Sequence, residues 1–201
     1  MEAVLYIHGK GGSPSEAEHY RSLFPSRHVA GVDYDVSSPQ NAVKTIRGCV
    51  KKLSLSYDKI TLIANSIGAC FTMLSDVDEY ISRAYFISPV VDMESLITDM
   101  MKASGITVDE LSEKVTVVTT SGDTLSWEYL CFVRDHPVVW NAPTDVLYGE
   151  KDELVSYKSV YAFSVKHNAS LTVMKNGEHW FHTEEQMRFT DNWIKSGVHN
   201  D

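Results

Sequence analysis

The sequence predicts an α/β protein whose mostly parallel sheet is covered by helices on both faces. Three observations carry that reading. Short apolar runs rich in β-branched residues alternate with stretches of helical periodicity, the pattern of strands joined by crossover helices. No internal repeat, low-complexity tract or linker interrupts the alternation. At its centre the run Ile60-Thr-Leu-Ile-Ala-Asn stops at Ser66, passes Gly68 and becomes helical, which describes a strand, a tight turn and a helix.

The elements follow in order. Val4–Ile7 reads as a buried strand, ending in the flexible loop His8-Gly9-Lys10-Gly11-Gly12-Ser13-Pro14. A helix is expected over Glu16–Phe24 and a second strand over His28–Tyr34. Pro39 suits the first turn of a helix, where its missing N–H costs nothing, and Val43, Ile46, Val50 and Leu53 follow at helical spacing. Lys59–Ala64 is the third strand. Ser66–Tyr80 is its helix, with Ile67, Cys70, Phe71 and Leu74 on one face. Arg83–Ser88 is a fourth strand and Thr144–Tyr148 a fifth, followed by a helix with Tyr157, Val160 and Tyr161 inward. Ala169–Met174 is a sixth. The last helix opens on Thr183-Glu-Glu-Gln186, the spacing of a capping box, and runs to about Ser196, with a frayed tail from Gly197.

One segment breaks the alternation. Between Ser88 and Pro143 the chain makes a long excursion containing an apolar helical stripe (Met93, Leu96, Ile97, Met100, Met101). A short strand over Lys114–Thr120, a turn at Ser121-Gly122-Asp123 and a helix over Ser126–His136 follow it. This is too structured for a linker. It is expected to form a small cap, at about residues 91–142, inserted in a single domain spanning 1–201.

Composition bounds the function. A chain of 201 residues with 43% hydrophobic and 22% charged residues reads as one soluble globular domain. The net charge of −9 disfavours nucleic acid, since phosphate binding needs a basic face. No apolar run is long enough to cross a bilayer. The start, Ala3-Val-Leu-Tyr-Ile7, has no basic or cleavable segment, so a cytoplasmic protein with no membrane partner is expected. Cys49, Cys70 and Cys131 are odd in number and widely spaced and read as reduced thiols, Cys70 as helix packing.

The chemistry sits just after the strands, where open sheets of this kind bind ligands. A serine nucleophile needs a base, an acid that orients the base, and donors for the oxyanion. Ser66 is the nucleophile candidate. His179, in Gly177-Glu-His179-Trp, follows the sixth strand, and Asp152, in Tyr148-Gly149-Glu-Lys-Asp152, follows the fifth. The backbone N–H groups of Ile67 and Lys10 are the candidate oxyanion donors. Each residue also has a structural reading. Ser66 could simply cap its helix. Asp152 could cap the next one, with Asp145 an alternative acid that is badly placed inside a strand. His179-x-x-His182 could hold a metal, but no further His or Cys has suitable spacing nearby, so no metal is expected. The glycines after His8 do not match nucleotide-binding spacings, and no cofactor is expected.

Four motifs agree in order and spacing: Ile7-His8-Gly9-Lys-Gly-Gly, Ala64-Asn-Ser66-Ile-Gly68, Tyr148-Gly149-Glu-Lys-Asp152 and Gly177-Glu-His179-Trp. On them the chain resembles a small α/β-hydrolase, similar to short bacterial serine esterases, from Val4 to the last helix. One departure is Ala64, where the family's usual G-x-S-x-G elbow has its first glycine; alanine adds one methyl. The resemblance implies a Ser66–His179–Asp152 triad in the order Ser, Asp, His. It also implies that His8 holds the oxyanion loop through hydrogen bonds without exchanging protons with substrate. The expected reaction is hydrolysis of a small-molecule carboxylic ester. A thioesterase, a peptidase or a ligand-binding member without turnover are the alternatives. Met93, Ile97 and Trp127 of the cap are the candidate substrate-binding residues.

Overall fold

The computed structural model describes residues 1–198. Its strands and helices are β1 (Glu2–Ile7), α1 (Ala17–Tyr20), β2 (His28–Gly31), α2 (Pro39–Ser54), β3 (Lys59–Asn65), α3 (Ile67–Met73) and β4 (Ile81–Ile87). The excursion supplies α4 (Met93–Ala103), α5 (Val108–Lys114), β5 (Thr116–Val118), β6 (Thr124–Ser126) and α6 (Trp127–Asp135). The chain closes with β7 (Thr144–Gly149), α7 (Tyr157–Lys166), β8 (Ser170–Met174) and α8 (Glu184–Val198).

Six strands pair in the order β2-β1-β3-β4-β7-β8, every pair parallel. Successive residues point to opposite faces, and both faces are buried. Leu5 and Ile7, Leu62 and Ala64, and Ala84 and Phe86 face a large core shared with α2, α3, α7 and the excursion. Val4 and Tyr6, Ile63, and Tyr85 and Ile87 face a smaller core closed by α1 and α8. The switch in strand order falls between β1 and β3, so the loops leaving these two strands lie side by side.

Several elements differ from the sequence reading. The helix expected over Glu16–Phe24 is a single α-turn between two 3₁₀ turns, Pro14–Glu16 and Arg21–Leu23. The second strand ends at Gly31, short of the expected Tyr34, after the Val32 N–H makes the last ladder bond, to the Tyr6 carbonyl. The helix after Ser66 stops at Met73 rather than Tyr80, and Asp76 at φ 52° turns the chain away. In the excursion, α5 and the hairpin partner β6 add to the expected elements; both are short, and each buries one residue, Leu111 and Leu125. On α7, Tyr157 and Tyr161 face outward (48% and 54% exposed), while Val160 and Phe163 are buried.

At the last helix Thr183 Oγ1 accepts from Gln186 N, but the Gln186 side chain reaches back to His182 N and not to Thr183 N, so the box is skewed by one residue. The tail expected to fray from Gly197 is in part helical. Gly197 is buried in α8, where a Cβ would stand 2.5 Å from the Tyr85 hydroxyl. Residues 199–201 lie outside the described residues. No helix among the described residues is long and apolar enough to cross a membrane.

Two substitutions separate these environments. Leu62→Ala, at a fully buried site on the central strand β3, should cost about 2–5 kcal/mol in urea denaturation. Tyr161→Ser, on the exposed face of α7, should change stability by less than about 0.5 kcal/mol.

Candidate active site

Ser66 stands between β3 and α3 at φ 51°, ψ −118°. This is left-handed backbone that L-residues adopt only when their surroundings enforce it. Three backbone bonds do so here. Ser66 N donates to the Ile87 carbonyl, and the Ser66 carbonyl accepts from Ala69 N and Val90 N. Close packing adds to them. A Cβ on Gly68 would lie 2.6 Å from the His8 carbonyl oxygen and 2.7 Å from that of Ile7, so the first turn of α3 sits directly on the end of β1. Ala64, in place of the usual elbow glycine, is fully buried in the larger core.

Ser66 occupies the capping position of α3, yet its side chain makes no capping bond. The hydroxyl is instead 2.8 Å from His179 Nε2. On the far side of the ring, Nδ1 lies 2.7 Å from Asp152 Oδ2. Asp152 Oδ1 accepts from Leu154 N and Val155 N, both at 2.9 Å, and the carboxyl group is wholly buried. A carboxylate only accepts, so Nδ1 carries the ring proton, and Nε2 is left free to accept from the Ser66 hydroxyl. The three side chains singled out in the sequence thus form one continuous hydrogen-bonded chain.

Two loops had to meet for this. Glycine at 149 and at 177 allows it, for a Cβ on Gly149 would fall 2.6 Å from the Gly177 carbonyl oxygen. Lys151 N bonds to that same oxygen at 2.8 Å, and Glu150 N to the Met174 carbonyl at 3.0 Å. The loop after β7 is thereby sewn to the loop after β8, and Asp152 arrives beside His179.

The loop after β1 is also fixed. His8 is buried, stacks on Tyr34 with ring centroids 4.4 Å apart, and donates from Nδ1 to the Gly9 carbonyl at 2.8 Å. The Tyr34 hydroxyl donates to the His8 carbonyl. A Cβ on Gly9 would lie 3.3 Å from Ser66 Cβ, so the loop passes right beside the serine. Ile67 opens α3, and its N–H has no acceptor within the helix. Among the described residues, neither Ile67 N nor Lys10 N donates a backbone hydrogen bond. The Lys10 ammonium, by contrast, is paired with Asp123 of the excursion's turn at 2.6 Å.

The remaining candidates fall elsewhere. Asp145 is bound to Arg83 at 2.7 Å and takes no part in the chain. His182 is exposed, 3.7 Å from Glu178. Burial pushes the Cys70 thiol up to about 12, which leaves it protonated and inert. Met93 and Ile97 are core residues and Trp127 packs against that core. None of the three lines the cavity of about 370 Å³ that opens beside Ser66 and His179. Their apolar faces are used in packing the excursion onto the larger core. The cavity is walled instead by the opposite layer, including Tyr6, Glu16, Tyr20, Trp180 and Met187. Little in the sequence marks these residues. Glu16 and Tyr20 lie in a broken helix, and Met187 is one of several apolar residues in the last helix.

No family model and no curated protein matches this chain in sequence. Solved structures do match in shape. A putative hydrolase from Agrobacterium vitis S4 superposes with a TM-score of 0.74 at 17% identity, over 97% of this chain and 87% of that one. Est1E from Butyrivibrio proteoclasticus gives 0.73 at 18%, over 99% and 87%. Mouse alpha/beta hydrolase domain-containing protein 10 gives 0.71 at 17%, over 98% and 90%. The chain has the α/β-hydrolase fold.

The contact between the two glycine loops can be tested on its own. Gly149→Ala must push the loops apart, and should cost about 1–3 kcal/mol in chemical denaturation.

Proposed function

We propose that the chain is a serine hydrolase that cleaves a small carboxylic ester through an acyl-enzyme. The observation that carries this reading is the unbroken hydrogen-bonded line from the Ser66 hydroxyl through His179 to Asp152. The esterases among its structural neighbours share its fold and agree with it.

In this reading the Ser66 oxygen attacks the ester carbonyl as His179 Nε2 takes the hydroxyl proton. The carbonyl oxygen becomes an oxyanion, held by Ile67 N–H and Lys10 N–H, each worth about 2.7–4 kcal/mol of barrier. Asp152 keeps the ring proton on Nδ1 and stabilises the imidazolium. His179 then protonates the departing alkoxide and the C–O bond breaks, leaving acyl-Ser66 and free alcohol. A water molecule, deprotonated by the same imidazole, attacks the acyl group and releases the acid. Thioesters suit the same sequence of steps. The excursion, at about residues 91–142, does not line the cavity and acts as a cap only where Asp123 pairs with Lys10 at its rim.

Purified protein should hydrolyse a short 4-nitrophenyl ester and react covalently with a fluorophosphonate probe. Ser66→Ala should lower the rate by about 10⁴-fold or more and abolish labelling, with an unchanged circular dichroism spectrum. Equal residual rates in the two proteins would remove the hydrolase reading. Ligand-dependent stabilisation without labelling would favour a binding protein. Asp152→Asn should lower kcat by about 10⁴-fold. The amide can still accept from Leu154 N and Val155 N, but it donates toward the ring and moves the imidazole proton to Nε2, where it blocks the serine.

A further inference from the structure

Glu16 places a carboxylate in the wall of the Ser66 cavity, and among the described residues no cation answers it. Its Oε2 accepts from the Tyr6 hydroxyl and its Oε1 from Ser13 N at 3.0 Å, and both donors are neutral. Every basic side chain of the same wall, in contrast, faces an acid. Lys10 is 2.6 Å from Asp123, His19 is 2.7 Å from Asp191, and His182 is 3.7 Å from Glu178. His179 is held by Asp152. The cavity therefore carries one negative charge in excess of its paired groups, and the chain's net charge of −9 has the same sign.

The rest of the lining suits a cation. Tyr6 and Tyr20 lie with ring centroids 5.2 Å apart, Tyr6 being the donor to Glu16. Trp180 and Phe181 line the same cavity from the loop that carries His179. Aromatic faces attract cations through their quadrupoles, tryptophan most strongly, and a carboxylate beside them adds direct charge attraction. Such a wall favours an ammonium group over a carboxylate.

We infer that the cavity beside Ser66 selects esters in which the acyl or the alcohol part carries an ammonium group, with Glu16 as the residue that sets the preference. The inference rests on the serine-hydrolase reading above, because it concerns which ester reaches Ser66. It assigns Glu16 to substrate binding, beside the contacts it makes to Tyr6 and Ser13.

Two pairs of substrates equal in shape test it, one on each side of the scissile bond. Acetylthiocholine is compared with 3,3-dimethylbutyl thioacetate. The 4-nitrophenyl ester of 4-(trimethylammonio)butyrate is compared with that of 5,5-dimethylhexanoate. In at least one pair the cationic member should have a kcat/KM about tenfold higher. Glu16→Gln, whose amide can still bond to Tyr6 and Ser13 N, should bring that ratio close to one. The ratio is its own control, since damage to the fold or to the triad slows both members alike. Tetramethylammonium should also slow fluorophosphonate labelling of the unaltered protein, more than neopentyl alcohol does at equal concentration. Ratios near one in both pairs, or a preference that Glu16→Gln leaves intact, would overturn the inference while leaving the hydrolase reading in place. Failure to turn over any of the four esters, with no labelling by the probe, would remove the hydrolase reading and this inference with it.

Discussion

The architecture of the site depends on one strained residue. Ser66 sits in a backbone conformation that a free chain avoids, and what holds it there comes from three parts of the fold. The Ile87 carbonyl of β4 takes its N–H, the turn after β4 donates to its carbonyl through Val90, and the absence of a side chain at Gly68 lets α3 seat on β1. None of these can form until β1, β3 and β4 have paired in register. The hydroxyl is thus pointed away from its own helix, where it would make an ordinary cap, and toward a histidine more than a hundred residues distant in sequence.

Much of this was legible because the physics is local. The strand of Lys59–Asn65 and the turn at Ser66 are written in consecutive residues, and so are the two loops that end in Asp152 and His179. Asp145 was set aside because a strand residue points across the sheet, and in the structure it binds Arg83 of the neighbouring strand. What was not legible depends on which face an element turns to its neighbours. The outward Tyr157 and Tyr161 are apolar enough to look internal, and only the packing of Val160 and Phe163 decides the matter. The stripe of Met93 and Ile97 was correctly apolar, but periodicity does not say what it packs against. It joins the larger core, and the cavity opens on the opposite layer. Glu16 and Tyr20 had no pattern to announce them, since they reach the serine only through the pairing of β1 with β2 and the path of the chain between them.

The excursion and the first loop meet in the pair of Lys10 and Asp123, which holds the Asp123 carboxyl below its ordinary range. The pair does two things at once. It ties the turn of the β5–β6 hairpin to the loop beside Ser66, and it neutralises the one lysine in the cavity wall. Its energy is modest, because the lysine is largely exposed and salt screens such contacts. The pair also bears on the cavity's charge, since without it a free ammonium would stand in the same wall as Glu16.

The two loops that deliver Asp152 and His179 leave the last two strands of the sheet, and β8 is a border strand with a neighbour on one side only. Borders of sheets open more readily than centres, through partial unfolding that leaves the remainder intact. Peeling β8 from β7 would carry the imidazole away from a serine still locked in place by the central strands. Heat or denaturant should consequently silence such a molecule before it melts, and amide exchange along Ser170–Met174 would follow the loss of competence more faithfully than a global melting curve.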